Sequence, residues 1–130
     1  MSQPILIKIR WSEFVQWRQA SETTITNSSG VYEFWVGLKD NGKRRIYVGK
    51  ADNLDKRFKE HLRTDLSNNC LRNNLKQYVW YYRFAVIENK ADREDAEKWL
   101  YRHHEYECNE VEPSGSGRQR FVVRENSLLE

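Results

Sequence analysis

The chain has 130 residues, which is enough for one domain and too short for two of ordinary size. Only 38% of the residues are hydrophobic but 13% are aromatic, so aromatic rings have to supply much of the core. No stretch approaches the ~20 apolar residues of a membrane span and the N-terminus lacks a signal-peptide profile, so we expect a cytoplasmic protein with no membrane partner.

The net charge of +3 is mild, but it is unevenly distributed along the chain. Residues 39–63 contain nine basic and four acidic side chains, whereas residues 88–112 contain four basic and nine acidic ones. Two solvated helix faces of opposite sign would explain this pattern. For an arbitrary small domain that is the better interpretation, and the alternative is a phosphate-binding half that faces a metal-binding half.

The two cysteines, Cys70 and Cys108, lie far apart in predicted helices, with no CxxC or Cys/His ligand spacing around them. We therefore expect reduced, buried thiols rather than a disulfide or a zinc site. Reduced thiols are typical of a cytosolic protein.

The chain divides into three segments. Residues 1–29 form an extension in which Trp11–Arg18 is interpreted as a short accessory helix with Ser12 as its possible cap. Residues 30–112 form the core. Residues 113–130 hold a Gly/Ser loop and a possible edge strand at Phe121–Val123.

The core begins with a predicted β-hairpin. Val31–Val36 and Arg45–Val48 are rich in β-branched and aromatic residues, and Asn41-Gly42 between them is typical of a two-residue type I′ turn. We predict antiparallel pairing of these two strands.

The sequence predicts two helices after the hairpin. Leu54, Phe58 and Leu62 recur every fourth residue behind an Asp52 cap, which predicts an amphipathic helix. A shorter helix carries Leu71 and Leu75 after two capping candidates, Ser67 and Asn68.

Alternation over Tyr78–Val86 predicts a third strand. A last helix opens at Asp92, buries a stripe that includes Ala96 and Leu100, and ends near Asn109. The predicted fold class is α/β (α+β): a small, mainly antiparallel sheet of at least three strands, flanked by helices.

The hairpin carries Gly30-Val31-Tyr32 in its first strand and Tyr47-Val48-Gly49 in its second, and the latter leads into a helix bearing Arg57 and His61. This arrangement resembles the GIY-YIG nuclease family over about 80 residues, from Gly30 to Asn109, with Val in place of Ile in both tripeptides. The resemblance extends to the nuclease end of a bacterial excision-repair protein and to homing and restriction endonucleases. It implies a metal-dependent DNA endonuclease and, by that relationship, a role in DNA repair.

Arg57 and His61 lie one helical turn apart, on a ridge that borders the apolar stripe. A guanidinium there can bind two phosphate oxygens and neutralise charge on phosphorus in the transition state. Without the motif a surface salt bridge would be the first interpretation of Arg57, and with the motif the phosphate-binding role is. His61 is equally open to a substrate hydrogen bond or to packing on the helix face.

Glu97 flanks the buried stripe of the last helix, whereas Glu94 and Asp95 are expected to point further toward water. The family places its single metal-binding Glu on this helix, so the resemblance assigns Glu97 one divalent ion, Mg²⁺ or Mn²⁺. Pairing with Arg57 in the absence of metal is the alternative.

Tyr32 and Tyr47 lie on facing strands, where two tyrosines ordinarily pack as a cross-strand pair. In the family the first Tyr is proposed to help deprotonate or position the attacking water. A phenol with a pKa of about 10 needs a nearby cation for that role, and Lys50 is itself a second candidate base.

Four further residues are expected to touch substrate. Gly49 permits close approach of the backbone, Asn109 matches an Asn of the family, and Arg118 and Arg120 form a basic loop.

The expected partner is DNA, with a targeting protein or a homodimer as possible help in selecting the site of cleavage. The alternative functions are a nucleic-acid-binding module that kept the fold but lost hydrolysis, and a protein-interaction domain that uses exposed aromatics.

Overall fold

The computed structural model describes residues 4–19, 25–63 and 68–126. Its elements, in chain order, are β1 (Ile5–Arg10), β2 (Val15–Gln16), a 3₁₀ turn (Trp17–Gln19), β3 (Gly30–Gly37), β4 (Lys43–Ala51), α1 (Leu54–His61), α2 (Asn69–Gln77), β5 (Trp80–Val86), α3 (Lys90–His103) and β6 (Phe121–Asn126). The predicted fold class is confirmed.

Four strands form the main sheet in the order β2-β5-β3-β4, with every neighbouring pair antiparallel. The register places Tyr32 opposite Gly49 and Phe34 opposite Tyr47, and a β-bulge then follows at Ile46. Strand β4, which carries the second tripeptide of the motif, is the last strand in this order and so lies at the sheet edge.

Helices cover both faces of this sheet. One face packs its aromatic residues, including Phe34 and Tyr82, against Leu54 and Phe58 of α1 and Leu71 of α2. The other face packs against α3 and against a second, two-stranded parallel sheet formed by β1 and β6. Aromatic rings dominate the first core, as the composition predicts.

The predicted accessory helix over Trp11–Arg18 is wrong. The sheet edge offers this segment better hydrogen bonds than a short helix would, because Ser12 N donates to Phe84 O (2.8 Å) and Phe84 N donates to Ser12 Oγ (3.0 Å). Val15 then pairs with Tyr82 in β2. The preceding strand β1 was not predicted, and its Ile7 and Ile9 are buried in the second core.

The predicted edge strand at Phe121–Val123 is confirmed within β6, which runs parallel to β1.

The hairpin is confirmed, but its turn differs from the predicted type I′. Leu38 N donates to Gly42 O (2.8 Å) and Asn41 N donates to Leu38 O (3.2 Å), which closes a three-residue loop. Asn41 has a positive φ of 68° whereas Gly42 does not lie in the left-handed region. This is the geometry of a type I turn followed by a single left-handed residue.

The helix boundaries also shift. Asn53 caps α1 instead of Asp52, because its side chain accepts from Lys56 N while Asp52 is exposed and pairs with Arg93. Asn68 caps α2, and Ser67 lies outside the described residues. Helix α3 begins after Asn89 and ends at His103, well before the predicted end at Asn109.

Cys70 and Cys108 form a disulfide, so the expectation of reduced thiols is wrong. Helix α2 and the segment after α3 meet beside β4 and bring the two Cα atoms within 5.3 Å. The sequence did not predict this disulfide, because 38 residues separate the two cysteines.

Among the helices that the structure describes, none is long and apolar enough to cross a membrane.

Candidate active site

Tyr32 lies at the centre of the candidate site, on the middle strand β3 and buried against the aromatic core. Its ring crosses over Gly49 of the neighbouring strand. A Cβ atom at Gly49 would approach the Cζ and hydroxyl oxygen of Tyr32 to 2.4 Å, so no side chain fits there. Gly49 therefore makes room for the Tyr32 ring, and close approach of the substrate backbone at Gly49 stays a prediction.

Helix α1 brings His61 to the Tyr32 phenol. His61 Nε2 lies 2.7 Å from the Tyr32 hydroxyl, and the imidazole contacts the rings of Phe34 and Tyr47. Burial, reinforced by the charge of Arg57, lowers the pKa of His61 to about 3. The imidazole is therefore neutral at physiological pH, and its Nδ1 is buried without a hydrogen-bond partner within the described part of the chain.

Arg57 approaches from one helical turn earlier, as the spacing predicts. Its guanidinium interacts with the phenols of both Tyr32 and Tyr47 and also forms a 3.8 Å ion pair with Glu60. The side chain is 41% exposed, so a phosphate could reach it from solvent. Within residues 4–19, 25–63 and 68–126 it makes no ion pair with Glu97, the alternative that the sequence left open.

Burial raises the pKa of both Tyr32 and Tyr47, and the nearby Arg57 opposes this shift without overcoming it. The two rings lie 6.3 Å apart, so they do pack together as well as face the site. Neither phenol is a ready base in the free protein, because its neutral form is the stable one.

Glu97 lies on α3, close enough that its charge raises the pKa of both phenols. Burial raises its own pKa to about 7, with Lys50 lowering and Glu94 raising that value. Across the described residues its carboxylate has no hydrogen bond or ion pair. A partly buried carboxylate without a partner is the group that a divalent cation would stabilise.

The residues flanking Glu97 differ from their predicted positions. Asp95 is buried rather than solvated, and it accepts from Ser116 and Arg118. Glu94 is only partly exposed and forms a 3.4 Å ion pair with Lys50. Helical phase alone misplaced both, because the loop after α3 folds back over Asp95 and β4 presents Lys50 to Glu94.

The remaining predicted substrate contacts have other partners. Asn109 accepts from Val48 N and donates to Val48 O, both at 2.9 Å, and so extends the edge of β4. Arg118 pairs with Asp92 and Asp95, each at 2.8 Å, on the far side of α3. Arg120 is exposed at the start of β6. The structure brings none of the three to the Tyr32 and Arg57 cluster.

Glu33, the residue after Tyr32 on β3, is a buried charge that was not among the predicted residues. It is fully buried and accepts from Arg83 (2.7 Å), Trp35 (2.9 Å), Arg45 (3.2 Å) and the Tyr106 hydroxyl. Its signal in the sequence was a lone charge in the middle of an apolar strand.

The sequence model of the GIY-YIG catalytic domain matches residues 28–108. Because this match covers more than half of the chain, the protein belongs to the GIY-YIG family, and its function is of the nuclease type. Comparisons with curated proteins and with solved structures gave no match.

Proposed function

We propose that this protein is a DNA endonuclease that hydrolyses phosphodiester bonds with the help of one divalent ion at Glu97. The observation that carries the proposal is the meeting of Tyr32, Tyr47, Arg57 and His61 at a single point on the sheet, with an unpartnered Glu97 within electrostatic reach.

Arg57 is the phosphate-binding group of this proposal. Its planar guanidinium, close to the two phenols, would donate to two non-bridging oxygens and stabilise the charge that develops as phosphorus becomes five-coordinate. Water attacks phosphorus and the bond to the 3′-oxygen breaks, which leaves a 5′-phosphate and a 3′-hydroxyl.

Glu97 fits a resident Mg²⁺ or Mn²⁺ ion because hard cations of this size are held by one or two carboxylates together with substrate phosphate. Such an ion supplies charge neutralisation and a more acidic water. The adjacent Lys50 and Glu94 pair with each other, which leaves the Glu97 oxygens available.

Tyr32 orients the attacking water through its hydroxyl, and the neutral His61 fixes the direction of that hydroxyl. The raised pKa of Tyr32 disfavours proton abstraction by this phenol before substrate binds. Lys50 is the second candidate to take the proton, once DNA and metal have displaced its pairing with Glu94.

Lys50→Arg separates these two bases, since it keeps the positive charge but cannot accept a proton at ordinary pH. If Lys50 is the base, the cleavage rate should fall by roughly two orders of magnitude or more. A nearly unchanged rate would assign the proton to Tyr32.

The activity itself is tested with labelled linear, nicked, flap and junction DNAs incubated with Mg²⁺ or Mn²⁺. We expect cleavage of at least one substrate and none in excess chelator. Undiminished cutting in chelator would contradict the metal role, and binding without cutting across all substrates would favour the non-catalytic module.

Glu97→Gln tests the metal ligand, with Glu94→Gln as the matched control on the same helix. Removing the charge at position 97 should abolish cleavage while metal-free DNA binding is kept or strengthened, because an anion beside the phosphate is gone. Equal losses in both variants would contradict the assignment.

The proposal includes a targeting protein or a second copy of this chain that directs cleavage. Adding a partner or varying the protein concentration in the cleavage assay tests this part.

A further inference from the structure

A basic groove opens next to the candidate active site, between the end of α1 and the exposed face of α2. It encloses about 260 Å³ and is walled by Leu62 and Arg63 on one side and by Arg72, Leu75 and Lys76 on the other, over a floor formed by Trp80. His61, which contacts Tyr32 in the candidate active site, also lines this groove, so the two features share one residue.

The three cations of this groove have no acidic partner among the residues that the structure describes. In the parts of the chain that the structure describes, Arg63, Arg72 and Lys76 make no ion pair, and Arg72 donates only to the neutral amide of Asn69. Helix α2 carries no acidic residue at all. By contrast, Lys59 of α1 is paired with a carboxylate of its own helix.

The spacing and the floor of the groove narrow the choice of ligand. Arg72 and Lys76 lie four residues apart, so they point to the same side of α2 about 6 Å from each other. The side of the groove formed by the end of α1 is partly apolar, because Leu62, the C-cap residue of α1, has 38% of its surface exposed. Cations on the rim above an apolar floor fit a polymer with regularly spaced anions and less polar groups between them, which describes a sugar–phosphate backbone.

We propose that this groove, named here the α2 groove, binds the DNA backbone immediately next to the phosphate that is cut. This inference rests on the proposed nuclease function and deepens it. Arg63, Arg72 and Lys76 are binding residues that hold the strand in register with Arg57, and they do not take part in the chemical step.

The test compares two double variants that each remove two positive charges. Arg72→Gln/Lys76→Gln alters the α2 groove. Lys8→Gln/Arg124→Gln is the control, because these two exposed residues are register partners on β1 and β6, on the opposite side of the main sheet. All four side chains lie at least partly in solvent, and melting temperatures verify that both variants fold.

Binding of a fluorescent DNA oligonucleotide is measured in excess chelator at ~50 and ~200 mM salt. Each phosphate contact contributes about 0.9 to the slope of log affinity against log salt. Over this range the wild-type protein should therefore lose about tenfold more affinity than the α2 groove variant. The control variant should keep both the wild-type slope and the wild-type cleavage rate at saturating DNA.

The outcomes separate the two proposals. If the wild-type protein cuts DNA but both variants show the wild-type salt dependence, the proposal for the α2 groove is overturned and the nuclease function stands. If the wild-type protein neither binds nor cuts DNA, the nuclease function fails and this inference fails with it. Binding of a polyglutamate peptide that is lost in the α2 groove variant, with DNA binding unaffected, would assign the groove to a protein partner instead.

Discussion

Arg57 combines two properties that a phosphate-binding residue needs, since its guanidinium lies close to the phenols of Tyr32 and Tyr47 and is still partly exposed. We expect Arg57→Ala to lower the single-turnover cleavage rate by roughly 100- to 1000-fold, the range seen when one donor to a developing anion is removed. The melting temperature should hardly change, because the side chain borders the core without filling it. Lys56→Ala, an equal loss of charge at the exposed neighbouring position, is the control. An unchanged rate for Arg57→Ala would reduce this residue to a surface partner of Glu60.

Gly49 tests the placement of Tyr32. A methyl group at Gly49 would overlap the Tyr32 ring, so Gly49→Ala should push the phenol away from His61. We expect a loss of stability of about 1–3 kcal/mol, typical of overpacking, together with a loss of most activity. Denaturant unfolding and single-turnover cleavage measure the two effects. A fully active and equally stable variant would show that the ring has room to move.

Glu97 gives a pH dependence with a defined sign. Its folded-state pKa of about 7 lies above the ordinary value of 4.5, so the neutral carboxyl is favoured in the folded protein. Without metal, the stability that this group contributes is complete below about pH 4.5 and is lost as the pH rises through about 7.

Glu97→Gln should therefore raise metal-free stability at pH 8 by about 1–2 kcal/mol, after allowance for partial exposure, and change it little at pH 5. Thermal unfolding in chelator at both pH values measures this difference. A variant that is less stable than wild type at pH 8 would mean that Glu97 has a cationic partner in the folded protein.

At the scale of elements, the disulfide and Asn109 act together on β4. Cys108 is bonded to Cys70 of α2, and the next residue, Asn109, pairs with the backbone of Val48. The segment after α3 is thus fixed between α2 and the strand that carries Tyr47 and Gly49. We propose that Asn109 acts through β4, by holding the strand that carries Tyr47 and Gly49, and does not contact the substrate itself.

Reduction of the disulfide should cost about 4 kcal/mol, since loop entropy for a separation of 38 residues has that magnitude. Unfolding with and without a reductant measures the cost. The double variant Cys70→Ser/Cys108→Ser should be less stable than the oxidised protein and should not respond to reductant. Equal stability of the oxidised and reduced protein would show that packing alone holds this segment.

At the scale of the whole molecule, a buried polar network ties the two sheets together. Glu33 on β3 accepts from Arg83 on β5, and Arg83 lies 3.9 Å from Glu125 on β6. Glu125 in turn accepts from Trp11 and pairs with His104. The network spans the main sheet, β6 and the segments next to β1 and α3, so it fixes how these layers are arranged.

Glu33→Ala should cost about 3–5 kcal/mol, because it leaves the buried Arg83 without its close carboxylate. Glu107→Ala, which removes an exposed ion pair with Arg44, should cost at most about 1 kcal/mol. Denaturant unfolding of both variants tests the contrast. Similar small losses would mean that the layers are held by apolar packing alone.

The sequence by itself determined the elements whose signals are local. Enrichment in β-branched and aromatic residues around a turn signal predicted β3 and β4, and alternation predicted β5. The spacing of Leu54 and Phe58 predicted α1, and the two tripeptides with Arg57 and His61 predicted the family that the comparison confirmed. These signals depend on residues within a few positions of one another, where backbone geometry fixes which side chains share a face.

Only the tertiary structure decided the features that depend on distant partners. Strand β1 exists because β6 pairs with it from more than 100 residues away, Cys70 meets Cys108 across β4, and Asp95 is buried because Ser116 and Arg118 fold back onto it. The local pattern of each segment is compatible with more than one structure, and burial or hydrogen bonding by a remote segment selects among them. For the same reason, the Tyr32–His61 contact and the raised pKa of Glu97 could be read only from the folded chain.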